Sequence, residues 1–194
     1  MIKLSTKITS DIIELRKKCF AEYNYEGFDG ADYRTKEILH LKYEVDGKLL
    51  GAGRIRFGPT LPVGHVYKIG EVQIRDFEVG RLCIDPSIKS PIQKFKIISE
   101  LVKKTIAICL LTKCRYLYTG STGCNSFIYK NLVGFEQIAG PEAYPPCKEK
   151  RIYLLALDFS KEYTQRKRGS FEIKNEELQK TKDQLIEIGY SLWL

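Results

Sequence analysis

Asp46-Gly47 stands between two apolar-rich runs, Leu41–Val45 and Leu49–Phe57. An Asp-Gly pair tolerates the positive φ angles of a tight two-residue turn, so the segment predicts a β-hairpin. A chain with this hairpin near its start must build a sheet around it. Gly58-Pro59 ends the second strand, and residues 59–70 read as a loop containing Pro59, Pro62, Gly64 and Gly70. A long strand is then expected from about Val72 to Ile84, stopped by Asp85-Pro86.

Helices flank these strands. Residues 9–23 read as a helix with Thr9 or Ser10 as cap, and Ile12, Ile13, Leu15, Cys19 and Phe20 supply most of one apolar stripe. Residues 24–38 form a connection, with a second short helix expected near Arg34–Leu39. Ser90-Pro91 opens the strongest helix: serine caps, and proline at the first helical position loses no needed hydrogen bond. Phe95, Ile98, Leu101, Val102, Ile106 and Cys109 then recur at helical spacing, with Lys94, Lys96, Lys103 and Lys104 off that stripe. Tyr116–Thr119 reads as a short strand, Asn125–Leu132 as a short helix, and Phe135–Ala139 and Ile152–Phe159 as strands. The order predicts a mixed α/β (α+β) domain over residues 1–159, with a central sheet. Residues 160–194 read as a basic linker and a helical appendage from Asn175 to about Ile188.

Composition narrows the setting. At 194 residues, 43% apolar and 29% charged, the chain is expected to be globular. No apolar run approaches the roughly 20 residues of a membrane span, and the N-terminus lacks a secretory apolar stretch; a cytoplasmic location is expected. The six cysteines form no Cys-x-x-Cys pair and only His40 and His65 could join them, so no metal site is expected and most thiols read as small core residues. The net charge of +8 suits acidic partners. Charge alone does not choose between nucleic acid, an anionic membrane and an acidic carrier protein.

Four segments, taken together over residues 10–158, carry a resemblance. They are Arg16-x-x-x-Phe20 followed by Asp29-Gly-Ala-Asp32; Arg54-Ile-Arg-Phe-Gly-Pro-Thr-Leu-Pro62; Glu78-Val-Gly-Arg-Leu-Cys-Ile-Asp-Pro86; and Phe127-Ile-Tyr-Lys-Asn-Leu-Val-Gly-Phe135 with Gly140-Pro-Glu-Ala-Tyr-Pro145. The chain resembles the GNAT-like N-acyltransferases, closest to the N-acyl amino acid synthases and acyl-homoserine-lactone (autoinducer) synthases. Three features depart from the pattern. Gly80 stands where the serine of Glu-x-Ser-Arg usually lies, and Lys89-Ser-Pro-Ile-Gln-Lys94 replaces the glycine-rich acetyltransferase loop. No tryptophan fills the early aromatic site, which Tyr25 approximates.

The resemblance implies a GNAT-like acyl-CoA N-acyltransferase fold, a mixed central sheet with helices on both faces. It implies transfer of a fatty acyl group from an acyl-carrier-protein or coenzyme A thioester to the amine of an amino acid or related small molecule, with no permanently bound cofactor. Nucleic acid and a membrane span have no part in it; an acyl carrier protein and a small amine are the partners. Glu78, Arg81 and Tyr129 become the catalytic candidates, with Glu78 as base and Tyr129 as acid to the leaving sulfur. Leu82, Cys83, Ile84, Lys89, Gln93 and Lys94 are expected at the donor, and Asp29, Asp32 and Arg54 at the acceptor. Strand spacing alone places Glu78 and Arg81 on opposite faces unless a bulge intervenes. A glycine-poor loop suits the single phosphodiester of a carrier-protein arm better than the pyrophosphate of coenzyme A. An acetyl-CoA-dependent N-acetyltransferase and a non-catalytic binding protein of the same fold are the alternatives.

Overall fold

The computed structural model describes residues 1–21, 37–58, 61–67, 69–144, 147–159 and 172–190. The strands are β1 (Ile2–Ser5), β2 (Ile38–Val45), β3 (Lys48–Phe57), β4 (Asp76–Ile84), β5 (Tyr116–Ser121), β6 (Glu136–Tyr144) and β7 (Cys147–Asp158). The helices are α1 (Ser10–Cys19), α2 (Pro62–Val66), α3 (Pro91–Leu111), α4 (Gly123–Ile128) and α5 (Asn175–Glu187); a π-helical turn, Tyr129–Val133, continues α4. The strands form one seven-stranded sheet in the order β1-β2-β3-β4-β5-β7-β6. Every neighbouring pair is antiparallel except β4 and β5. A parallel pair needs a long crossover, and α3 supplies it.

The hairpin forms as expected, with Val45 opposite Lys48 and positive φ at both Asp46 (50°) and Gly47 (77°). Its first strand begins earlier than expected. Ile38 and Leu39, read as the end of a short helix, lie fully buried in β2. β1 was not anticipated: only Ile2 and Leu4 alternate with polar residues, too short a run to read.

One face of the sheet carries α3, the α4–π segment and α5 over Leu41, Ile55, Phe77, Leu117 and Leu155. The other carries α1, whose Ile12 and Leu15 pack with Ala52 and Cys83, and α2, whose Val63 packs with Tyr118 and Leu154. Helices therefore cover both faces. α3 lies close to β3: a β-carbon on Gly51 would stand 2.5 Å from Ile97 Cγ2, so no larger residue fits there without moving the helix.

α3 starts as expected. Ser90 Oγ accepts from the Gln93 N–H at 3.3 Å and Pro91 takes the first helical position. Its apolar stripe holds at Ile98, Leu101, Val102, Ile106 and Cys109 but not at Phe95, which is 43% exposed, and Ile97 is buried as well. Lys104, expected off the stripe, is buried too, because α5 packs along α3 and covers a second side of it. Leu185 is fully buried and Leu178 half-buried, whereas Ile186, also expected to pack, is about half exposed. Trp193 lies outside the described residues.

Candidate active site

β4 and β5 pair only from Asp76–Glu78 to Tyr116–Tyr118. Beyond Tyr118, β5 keeps its ladder with β7 while β4 follows β3, and the two strands part. A cleft of about 320 Å³ opens where they diverge. Carboxyl ends of neighbouring parallel strands are where α/β sheets place their ligands.

A bulge shapes the β4 side. Arg54 opposes Gly80 and Ala52 opposes Cys83, so the single residue Gly53 faces both Arg81 and Leu82. Arg81 takes up the extra length with φ of 55°. The extra residue inverts the alternation of side chains. Phe77 and Val79 face the α3 side, and after the bulge Leu82 and Ile84 pack there, while Cys83 joins α1 on the face of Glu78. This is the intervention that the Glu78–Arg81 spacing required, and both residues line the cleft.

Glu78 is buried, at 5% exposure. Its Oε2 accepts the Val63 N–H at 2.9 Å and its Oε1 stands 3.3 Å from Arg54 Nη2. Val63 lies in the first turn of α2, where backbone N–H groups have no helical partner. Pro62 at the head of that turn presets it. Burial pushes the Glu78 carboxyl above its usual range; Arg54, the Val63 amide, Arg81 and Arg56 pull it back in part. A carboxylate of raised basicity in a cleft is equipped to accept a proton.

Tyr129, at the start of the π turn, lines the same cleft. Gly134 (φ 93°) and Phe135 both return their N–H groups to Tyr129 O, at 3.0 and 3.2 Å, which fixes the turn. The ring packs edge-on against Phe135, with centroids 5.4 Å apart. Burial raises the phenol's pKa, so the phenol keeps its proton.

The expected donor residues divide. Leu82 lines the cleft. Asp85 N–H bonds Leu50 O at 2.9 Å, and this register turns the Ile84 N–H away from β3, toward the space that β5 has left. Cys83 points its side chain into the α1 packing. Lys89, Gln93 and Lys94 sit exposed at the start of α3, outside the cleft lining. The Gln93 N–H is not open to a donor phosphate, because the Ser90 cap uses it. Of the acceptor candidates, Arg54 lines the cleft, while Asp29 and Asp32, like Tyr25, lie outside the described residues. Among the described residues no group of His, Cys, Asp and Glu is placed to hold a metal.

Sequence reasoning missed Val63 and the polar rim formed by Thr119, Ser121, Thr122 and Asn125. The rim had a signal: a run of small polar residues at the end of a strand parallel to its neighbour. Gly80 has room for the serine it replaces. A β-carbon there would lie 3.5 Å from both Arg54 Nη2 and Glu78 Oε1, ordinary contact distance. Gly80→Ser is expected to fold normally and to bring a hydroxyl to the Glu78 carboxylate. That donor lowers the carboxyl pKa, so the acid limb of the kcat/KM profile should move to lower pH. An unmoved limb would mean that Glu78 does not set it.

The solved structure of FeeM, an N-acyl amino acid synthase from uncultured soil microbes, superposes with a TM-score of 0.62 at 16% identity, covering 85% of this chain and 98% of that one. The acyl-homoserine-lactone synthase LasI gives 0.61 at 14% identity over 81% and 88%. The Escherichia coli protein ElaA gives 0.59 at 15% over 81% and 99%. These likenesses establish the fold. A search of curated proteins found no match. The sequence profile described as N-acyl amino acid synthase FeeM matches residues 11–158, which includes both strands of the cleft and Glu78, Arg81 and Tyr129. The chain therefore belongs to the FeeM family of N-acyl amino acid synthases and is an N-acyltransferase that draws on an acyl thioester.

Proposed function

We propose that the chain transfers a fatty acyl group from an acyl-carrier-protein thioester to the amine of an amino acid or similar small molecule, at the cleft between β4 and β5. The observation that carries this is the meeting of the Glu78 carboxylate, the Tyr129 phenol and the bulged strand at one opening. The amine enters from the side of Arg54 and the polar rim. Glu78 takes a proton from the ammonium, directly or through a water, and the freed nitrogen attacks the thioester carbonyl. The C–N bond forms and the carbonyl oxygen becomes an oxyanion, held by backbone N–H groups of Leu82–Ile84. Collapse breaks the C–S bond, the nitrogen gives up its second proton to solvent, and the leaving thiolate takes the Tyr129 proton. Proton return from Glu78 to Tyr129 through solvent resets the site. Arg81 holds Glu78 ionised enough to act.

The donor assignment rests on the start of α3. Coenzyme A would bring a pyrophosphate, which favours open backbone amides at a helix N-terminus. Here Pro91 has no N–H and the Gln93 N–H is taken. The reading also places the reaction in the cytoplasm, where acyl carrier proteins act, with residues 160–194 as an appendage to a domain spanning 1–159.

The test is release of free thiol from matched carrier-protein and coenzyme A thioesters across a panel of amino acids and amines. Amine-dependent release is expected, with kcat/KM at least about tenfold higher on the carrier-protein thioester, roughly 1.4 kcal/mol of preference. Equal or better use of the coenzyme A thioester would overturn the donor, and thiol release that no amine in the panel increases would overturn the acceptor.

A further inference from the structure

Four free thiols stand among the described residues, in two pairs. Cys109 and Cys114 are in hydrogen-bond contact, and both are buried. Cys19 and Cys83 are likewise in contact, but Cys19 is only half-buried and meets solvent. An oxidant therefore reaches the second pair and not the first.

This pair joins two elements. Cys19 ends α1 and Cys83 lies in β4, just past the bulge. Cys83 belongs to the small cluster of Ile12, Leu15 and Ala52, and Cys19 packs against it. Cys19 Sγ also donates to Ile84 O at 3.0 Å. The N–H and C=O of one residue leave an extended strand on the same side. The Cys19 thiol thus stands on the side of β4 that β5 has left, where the Ile84 N–H points. Each cysteine also adjoins a residue of the cleft wall: Phe20 follows Cys19, and Leu82 precedes Cys83.

The two thiols suit different steps. The Cys83 thiol, donating to the Cys19 sulfur, lowers the Cys19 pKa, and the same contact together with burial raises that of Cys83. The thiolate is the form that attacks. The accessible cysteine therefore reacts first, and the buried one stands beside it as resolving partner.

We infer that Cys19 and Cys83 are an oxidation site, at which a hydroperoxide closes a disulfide that deforms the cleft and slows acyl transfer. The Cys19 thiolate attacks the peroxide and the O–O bond breaks. Cys19 becomes a sulfenic acid, and the leaving oxygen takes back the proton that Cys19 gave to solvent. The Cys83 sulfur then attacks the Cys19 sulfur; the S–S bond forms, and the displaced hydroxyl leaves as water with the Cys83 proton. Two electrons pass from the thiols to the peroxide. Bonded sulfurs stand well inside the distance of thiols in contact. Closure therefore draws β4 toward α1 and moves Leu82–Ile84, the expected oxyanion donors. Exchange with a small thiol reverses it. The bond itself depends on geometry alone, whereas its effect on turnover rests on the proposed role of Leu82–Ile84.

The experiment treats reduced wild type, Cys19→Ser and Cys83→Ala with hydrogen peroxide. Each sample is divided between non-reducing peptide mass mapping and an assay of N-acyl product. Wild type should yield a peptide pair joined through Cys19 and Cys83. Its kcat should fall by at least about tenfold, the scale of a displaced oxyanion donor. The loss should be the same on every thioester that reduced wild type accepts, because the chemical step is common, and dithiothreitol should reverse it. Cys19→Ser should form no such pair and keep its untreated rate. Cys83→Ala, lacking the partner thiol, should hold Cys19 as a sulfenic acid that dimedone traps. No joined pair in oxidised wild type would overturn the inference, as would a joined pair with unchanged kcat. Equal loss in oxidised Cys19→Ser would place the damage at another residue and overturn it too. A reduced wild type inactive on every thioester would instead sink the proposed function, and peptide mapping would still decide whether the pair closes.

Discussion

Replacing Glu78 with glutamine is expected to lower kcat by about 10²-fold or more, the scale for losing an acid–base group, while the protein stays folded. Glutamine keeps the shape and an oxygen for the Val63 N–H but cannot take the ammonium proton. The pH profile separates this from a packing effect. Burial raises the Glu78 pKa, and a protonated Glu78 cannot serve as base. Wild-type kcat/KM should therefore fall as pH drops through that raised value, and the Glu78→Gln variant should lack this limb. Stability should move the other way. A carboxyl whose folded pKa is raised favours the folded state below its unfolded pKa, and that contribution is lost as pH rises through the folded value. The variant should thus lose less stability on going from acid to neutral pH than wild type does. Steady-state thiol release and thermal melts across the pH range read both. Near-normal turnover in the variant would return Glu78 to a structural role.

How far the sequence revealed the fold depended on how local each signal was. The Asp46-Gly47 turn and the Ser90-Pro91 start are set by a few adjacent residues, and both formed as expected. The α3 stripe held from Ile98 to Cys109, but the full width of its covered surface was not local: a second side is covered by α5, some 70 residues later, so Lys104 is buried against its hydropathy. The bulge had no sequence mark. The positive φ falls on an arginine rather than on the glycine, asparagine or aspartate that usually signals it. Glu78 and Tyr129 were found through resemblance, since a lone carboxylate in a strand and a tyrosine on a short helix announce nothing. Val63 contributes only a backbone N–H, which no side-chain pattern can encode. The site is thus legible in its side chains and silent in its backbone, where the oxyanion donors are expected.

Removing residues 170–194 is expected to cost a large share of the protein's stability margin. The cost comes from the surface that α5 covers. Leu185 is fully buried in the main core, and Tyr190 packs on Phe57 with ring centroids 5.6 Å apart while its hydroxyl donates to Ile38 O at 3.2 Å. Gln184 Nε2 donates to Ile2 O at 2.9 Å and holds the edge strand β1. Losing one large buried side chain costs about 2–5 kcal/mol, against a total of roughly 5–15 kcal/mol for a typical domain. A loss of about 4 kcal/mol would lower the melting midpoint by roughly 8–16 °C in a chain of this size. Lys104 looks at first like the larger liability, because its Nζ lies 2.8 Å from Thr181 Oγ1 and 2.7 Å from Glu177 Oε1. Yet deleting α5 also returns Lys104 to water, so its charge is not stranded. The loss should therefore come from apolar burial, and point variants should rank accordingly. Leu185→Ala should cost about 2–5 kcal/mol. Glu177→Gln should cost under about 1 kcal/mol, because Glu177 is partly exposed and its pairing screened. Chemical denaturation of the two variants and melting of the truncated chain give the comparison. A truncation that leaves the midpoint unchanged, or a Glu177→Gln loss exceeding that of Leu185→Ala, would overturn this account of how the tail is held.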